Sequence, residues 1–315
     1  MSDPIMPQMP VVLSEAGPGL EDSASARDIA ASTEVARLQG FRIYGLVSDF
    51  EAAGCENAED AFAHIPVQQT QTPGFWIGFI PNATRYEQVW QAAWSRGIRL
   101  VNSPEEHRRA QEFAGAYPLL AGLTPLSAIV KDVAEAEAAI TCQGLGYPVF
   151  VKGNVQSRKA RGWKACVAAN ATELQAVVRA LLELTNRSRG RIILRQLAPL
   201  RYERVTAEGF RLGREYRVFL LNNIVVGMGY YWEGQDSLSA LSPAEDAAVR
   251  SLAIEASRRL AVPFVTVDIG QCEDGAWIVI ECGDAQFSGL SQISPLQLWN
   301  RVRDLSIVPN AGARY

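Results

Sequence analysis

Apolar residues recur along this chain with two periods, and the switches between them outline the elements. The sharpest pattern is Val262 to Asp284, VPFVTVDIGQCEDGAWIVIECGD. Two alternating, β-branched runs flank Asp274-Gly275 there, a strong short-range sign of a β-hairpin. With those two residues as the loop, Glu273 faces Ala276 and, counting back along both strands, Asp268 faces Glu281. Cross-strand partners share one face with Cβ atoms about 4.5–5.5 Å apart, so two like charges destabilise a sheet unless something positive lies between them. The other face carries Val267, Ile269, Ile280 and Cys282, an apolar set suited to a core, which turns the carboxylates toward a cavity or cleft. A hard divalent cation such as magnesium, which takes oxygen ligands and keeps waters for phosphate, is the simplest partner. An ordinary solvent-facing hairpin with scattered acids is the alternative.

Taken in order, residues 1–24 mix Pro, Gly, Ser and acids without a sustained period and read as a flexible tail. A helical pattern from about Ser25 to Leu38 closes at Gly40 and leads into the apolar run FRIYGLVS. FWIGFI at 75–80, a helix from Thr84 ended by Gly97, and the strand IRLVN follow; Ser103, Pro104 and Glu106 then supply N-cap, N1 and N3 of the next helix. Strands alternating with helices across short joints predict a small α/β domain with parallel strands over residues 25–125. Residues 126–190 read as a helix, the strand PVFVKG ending near Lys152, a loop NVQSRKARGWK, a strand and a helix capped by Asn170. Residues 191–315 hold the strand RIILRQLAPL, two strands joined at Asn222-Asn223, a helix capped by Ser242-Pro243, and the hairpin. Tyr230, Tyr231 and Trp232 read either as core or as pocket walls.

Composition narrows the chemistry. The chain has 315 residues, 48% hydrophobic and 20% charged, enough for two packed domains. A formal net charge of −4 argues against a protein governed by nucleic-acid or anionic-membrane attraction and points to small-molecule partners. Five cysteines without a CxxC pair indicate neither a disulfide framework nor a zinc ribbon. His64 and His107 are the only histidines and lie far apart, so histidine-based catalysis is not expected. No stretch has the roughly 18–20 apolar residues of a membrane span and no signal peptide is evident, so a cytoplasmic location is expected, with the sequons at Asn82, Asn170 and Asn186 unused.

Three features accumulate: a strand-end lysine followed by a cationic loop (Lys152, Arg158, Lys159, Arg161, Lys164), a strand bearing Glu215 and Arg217, and the carboxylate hairpin. In the order PVFVKG, IILRQL, REYRVFLL, VTVDIG and IVIECGD, this set resembles the ATP-grasp superfamily over roughly Gly144 to Val302. The resemblance implies an α+β/α/β chain in which an N-terminal small α/β (pre-ATP-grasp) domain precedes two ATP-grasp halves that hold ATP between them. It implies Lys152 as a phosphate-binding lysine, and Arg158 and Lys159 in a lid loop over the triphosphate. Arg195, Gln196 and Leu197 match the adenine-binding link between the halves, and Glu215 and Arg217 a charged mid-sheet pair. Asp268 and Glu281 match magnesium ligands. The asparagine many relatives carry two residues beyond the glutamate is Gly283 here, so Asp284 joins the set only if Gly283 bends the strand. Gln286 and Ser288 would line the substrate side.

The implied activity is an ATP- and Mg2+-dependent ligase that activates a carboxylate as an acylphosphate for attack by an amine or another nucleophile, with Lys152 and Arg217 as the residues orienting the reacting groups. Two alternatives remain open at this point. One is an ATP-grasp phosphotransferase or non-catalytic nucleotide binder. The other is a nucleic-acid-binding protein using the basic loop 152–164, with Trp163 available to stack.

Overall fold

The computed structural model describes residues 9–17 and 22–307. The first layer is a parallel sheet of β1 (Val11–Ser14), β2 (Arg42–Gly45), β3 (Thr72–Ile77) and β4 (Ile98–Leu100), in the order β2-β1-β3-β4. With it come helices α1 (Ala24–Leu38), α2 (Ala58–Ala61), α3 (Ala83–Ser95), α4 (Pro104–Gln111) and α5 (Phe113–Ala116). The expected flexible tail is corrected in part. Val11, Val12 and Leu13 are fully buried and β1 pairs with both β2 and β3, because three consecutive apolar residues covered on both faces suit the inside of a parallel sheet. Residues 1–8 and 18–21 lie outside the described residues. Helix α3 starts one residue earlier than its apolar period indicates, because the Asn82 side chain caps it by accepting from Arg85 N–H. The capping boxes at Ser103 and Ser242 form as expected.

The second unit is an antiparallel sheet, β5 (Ser127–Val130), β6 (Val149–Gly153), β7 (Val167–Ala168) and β8 (Ile192–Gln196), in the order β5-β8-β6-β7. It carries α6 (Val133–Cys142), α7 (Ala171–Leu182) and the short α8 (Thr185–Ser188), and Ala136, Ala139, Leu174, Val178 and Leu181 pack beneath it. Strand β8 is therefore part of this unit, hydrogen-bonded to β5 and β6, and a division at residue 190 cuts through the sheet. The joint comes after Gln196, where Ala198-Pro199 interrupt the ladder.

The third unit begins with a ribbon of β9 (Tyr202–Val205) and β10 (Arg211–Gly213) and continues as β11 (Glu215–Leu221), β12 (Ile224–Tyr230), β13 (Phe264–Gln271) and β14 (Trp277–Asp284). The four long strands lie in the order β12-β11-β13-β14. Helix α9 (Pro243–Leu260) covers one face through Val249, Ala253, Ala256 and Leu260, packed on Val218, Leu220, Val265 and Val267. On the other face Phe219, Leu221 and Phe264 meet α10 (Pro295–Ile307) and the first layer, with Phe75 edge-on to Phe264 at 5.6 Å.

The hairpin departs from its expected turn in a way that cancels. Its loop has three residues, since Cys272 N–H donates to Ala276 O and Gly275, at φ +92°, closes it. That sets Gln271 against Trp277 and Ile269 against Val279, one step out of the expected register. A bulge between Asp268 and Ile269 restores it, so Asp268 does face Glu281. The extra residue is Ile280, which leaves the α9 core and lines a cavity on the carboxylate side, while Val279 takes its place in the core.

Asp284, expected as a third magnesium ligand, is a correction. Strand β14 continues unbent, with Gly283 opposite Thr266 and Asp284 opposite Val265, so Asp284 turns to the face away from Asp268. There it is fully buried under α4. Asn102 Nδ2 donates to Asp284 Oδ1 (2.9 Å), His107 Nδ1 lies 2.9 Å from Oδ2, and Gln286 contributes both its backbone and side-chain N–H. His107 stacks on Tyr86 at 4.0 Å. Asn102 also exchanges hydrogen bonds with both backbone groups of Phe264. This polar seam fastens the first layer to the hairpin. Asn102→Ala is expected to lower unfolding free energy by about 2–4 kcal/mol, because it leaves buried backbone and carboxylate groups without partners. Urea unfolding reads the loss, and a change within about 0.5 kcal/mol would contradict it.

Candidate active site

A charged row crosses the third sheet on the face opposite α9. Arg217 on β11 is in register with Asp268 on β13, which is in register with Glu281 on β14. Period-two alternation places all three on one side. Arg217 grips Asp268 bidentately, Nε to Oδ1 and Nη2 to Oδ2 at 2.8 Å each, and its Nη1 donates to Gly289 O (2.9 Å). Glu281 accepts from Lys152, which arrives from β6 of the second unit. The like charges predicted at this pair are thus each met by a cation of the protein itself.

Burial makes this arrangement electrostatically firm. Lys152 is 2% exposed and Asp268 3%. Burial pushes the Glu281 carboxyl up, yet Lys152 and Lys159 outweigh it and hold the group below the usual carboxylate range. Burial pulls the Lys152 ammonium down, against the attraction of Glu281. Lys159 lies 3.8 Å from Glu215 and over the rings of Tyr231 and Trp232 at 5.2 and 5.3 Å. Burial opposes its charge, but Glu215, Tyr231 and Glu281 raise it above its ordinary value. Glu215 is itself pushed up, chiefly by burial.

Beside the row is a cavity of about 310 Å³ between the second and third units. The linking residues Arg195, Gln196 and Leu197 line it, with Phe150, Trp163, Leu200, Phe210, Glu215 and Ile280. A second cavity of about 910 Å³ opens toward the first layer and shares Lys159; Arg217, Tyr231, Asp268, Glu281, Gln286 and Ser288 are on its walls. Tyr231 and Trp232 are thus cleft walls, while Tyr230 is core. Arg158 is half-buried and lines neither cavity, so it does not accompany Lys159 into the cleft.

The basic loop is folded down. Gly162 has φ +87°, and a Cβ there would meet Glu208 O at 2.3 Å, so the loop rests on the tip of the β9–β10 ribbon. Trp163 N–H donates to Glu208 O and its ring packs on Phe210. Trp163 is therefore engaged in an apolar cluster with Phe210 and Leu212, and Lys152 and Lys159 face carboxylates. The loop does not form the stacking patch that a nucleic-acid interface needs.

Sequence reasoning missed several residues that hold the site. Phe113 of α5 lies under both Lys152 (5.3 Å) and Arg195 (4.2 Å). Asn154 joins α5 to the second unit by accepting from Ala114 N–H, and Arg189 bridges to Glu112 (2.7 Å) and Pro81 O (2.6 Å). A four-residue helix has no period to read, and lone polar residues at loop joints carry no sequence signal.

The donor set fits nucleotide and magnesium. Glu215 Oε2 and Arg195 Nε and Nη2 are buried at the wall of the smaller cavity without hydrogen-bond partners, groups that a polar ligand there would satisfy. Among the described residues no cluster of three or more His, Cys, Asp or Glu side chains gathers. Two cleft carboxylates suit an ion that takes one or two protein carboxylates and completes its shell with phosphate and water.

Comparison with known proteins agrees with this geometry. Residues 142–302 match a family model described as an ATP-grasp domain, family 3 of its clade. No curated protein sequence matches the chain. Among solved structures, the chain is similar to a RimK domain protein ATP-grasp from Sphaerobacter thermophilus, with 15% identity, TM-score 0.59, and 94% of this chain and 98% of that one covered. It is also similar to the D-alanine–D-alanine ligase from Bacillus anthracis complexed with ATP, with 13% identity, TM-score 0.60, and 95% and 98% covered. The VanG D-Ala:D-Ser ligase from Enterococcus faecalis gives 14% identity, TM-score 0.61, and 95% and 100% covered. At these identities the likeness is one of fold, and it extends over the first layer as well as the two later units.

The Lys152–Glu281 pair gives a pH dependence. Glu281 sits below its ordinary value in the folded chain, so its ionised form contributes stability that is present above about pH 4.3 and lost as pH falls through the depressed value. The unfolding free-energy gap between wild type and Glu281→Gln is expected to narrow between about pH 7 and about pH 3. A gap that stays constant or widens toward acid would contradict the pairing.

Proposed function

The chain belongs to the ATP-grasp domain family, and from that membership we propose an ATP- and magnesium-dependent ligase that activates a carboxylate as an acylphosphate for attack by an amine or another nucleophile. The observation that carries this reading is the charged row at the meeting of the two cavities, with cations from two units and carboxylates from one sheet turned to the same space. Fold relatives named as D-alanine–D-alanine and D-Ala:D-Ser ligases support an amine or hydroxyl acceptor over a simple phosphoryl transfer.

Each residue has a role that follows from its place. The backbone edge of Gln196 and Leu197, in an apolar cavity, suits a purine ring, with Glu215 and Arg195 offering unmet polar groups beside it. Lys152 and Lys159 would orient phosphate oxygens as point charges. Asp268 and Glu281 would hold magnesium, which when bound supplies bridging of phosphate oxygens and neutralisation of developing charge. Arg217 would release part of its grip on Asp268 to orient the reacting carboxylate. The seated loop around Gly162 would exclude water from a reactive acyl group. Among the described residues no helix is long and apolar enough to cross a membrane.

Isothermal titration with a non-hydrolysable ATP analogue, with and without magnesium, tests the reading. Magnesium-dependent binding is expected, weakened about tenfold or more by Asp268→Asn, Glu281→Gln or Lys152→Ala. Absence of nucleotide binding at every magnesium concentration would sink the proposal. With substrates, ADP release accompanied by a ligated product distinguishes a ligase from a phosphotransferase, which would yield a phosphorylated one.

A further inference from the structure

The larger cavity has a wall that the reading above leaves unused. On its far side α1 presents Asp28 and, one turn along the same face, Ser32, which is 6% exposed. Glu233, just beyond β12, lines the same space and is close enough to repel Asp28. The cations of the cleft are committed elsewhere: Lys152 to Glu281, Lys159 toward Glu215, Arg217 to Asp268. Arg217 and Arg27 reach Asp28 only through space, without a hydrogen bond to it. One end of the cavity is therefore electrostatically balanced and the other is negative.

Asp28 is also held in place. Its Oδ2 accepts from Leu290 N–H (2.9 Å), and the other end of that peptide unit, Gly289 O, accepts from Arg217. A Cβ at Gly289 would lie 3.0 Å from Asp28 Oδ2, so the missing side chain allows the close approach. A single peptide unit thus fixes the carboxylate of the first layer relative to the arginine of the charged row.

A second, independent observation points to a ligand at this end. Trp299 lines the same cavity, is 4% exposed, and its indole Nε1–H is buried without a hydrogen-bond partner. A buried donor without an acceptor is a costly feature that a carbonyl or carboxylate oxygen of a ligand would relieve. The floor beside it is apolar, formed by Ile29, Phe219, Phe264 and Leu298.

The geometry points to a subsite for an α-amino group carried by an apolar amino acid or by the N-terminal residue of a peptide: the ammonium held by Asp28 and Glu233, a neighbouring oxygen met by Trp299, and an apolar side chain on the Ile29–Phe219–Leu298 floor. This rests on the ligase reading for its role, since it makes an amine the nucleophile, but the binding itself does not depend on that reading. Burial pushes the Asp28 carboxyl up, and Glu233 adds to this, a negative surrounding consistent with a cation completing the site.

The test uses a matched pair of probes, L-leucinamide and 4-methylpentanamide, which differ only in the amino group. Each is titrated into the full chain at neutral pH, and the ATP analogue is titrated into the same samples. Wild type is expected to prefer leucinamide by about tenfold or more, a difference that Asp28→Asn removes and the exposed-site variant Glu233→Gln reduces, with affinity for 4-methylpentanamide unchanged. Equal affinity for the two probes, no binding of leucinamide by wild type, or a preference untouched by both substitutions would overturn the subsite. The amine preference is scored whether or not nucleotide binds. Loss of nucleotide binding with the preference intact removes the ligase reading alone, and nucleotide binding without the preference removes this inference alone.

Discussion

Two carboxylates opposite each other on one face of a sheet, both removed from bulk water, cannot stay ionised without cations, and the molecule is arranged around that requirement. Asp268 obtains its cation from the neighbouring strand, through a bidentate Arg217. Glu281 obtains its cation from another unit, through Lys152. Removing one partner of such a buried pair typically costs about 3–5 kcal/mol, because the remaining charge is left uncompensated. The second unit is therefore tied to the third by charge as well as by the Gly162–Glu208 seat and the apolar cluster around Trp163. The first layer is tied to both, through the Asp284 seam and the Arg189 bridge.

The same pairs give the cleft its chemistry. A cation that neutralises a carboxylate in one state can turn to a phosphate in another, and a carboxylate freed in that way can take a metal ion. Ligand binding then exchanges partners within a set whose total charge is already nearly balanced, which avoids exposing a bare buried charge at any stage. The aromatic surfaces support this exchange. Phe113 under Lys152 and Arg195, and Tyr231 beside Lys159 and Arg217, offer a soft counter-surface to cations without fixing their direction as a carboxylate does.

Much of this was legible in the sequence where local chemistry dictates structure. The Ser103 and Ser242 caps formed as their spacing requires, and the Asn222-Asn223 turn adopts positive φ at both residues, as a two-residue hairpin loop needs. The Asp268–Glu281 pairing came out right although the loop has three residues, because the bulge at Ile280 offset the shift. A bulge of that kind depends on packing across the cleft and leaves no mark in the alternation of residues. Asp284 misled for a different reason. A carboxylate next to the cleft strand looks like a ligand in one dimension, whereas the unbroken ladder through Gly283 turns it to the other face, toward His107, which lies 177 positions away. Strand β1 was hidden because three apolar residues are too short a run to read, and only its two parallel neighbours make it a strand.

The account stands on the claim that the cleft carboxylates and cations exchange partners around nucleotide and magnesium. A crystal structure of the chain with magnesium and a non-hydrolysable ATP analogue tests it most directly. The expected result is the purine beside Gln196 and Leu197, oxygens of Asp268 and Glu281 at about 2.0–2.1 Å from magnesium, and Lys152 turned from Glu281 to a phosphate. Nucleotide bound away from this cleft, or bound with Arg217–Asp268 and Lys152–Glu281 both intact and no carboxylate on the metal, would contradict it.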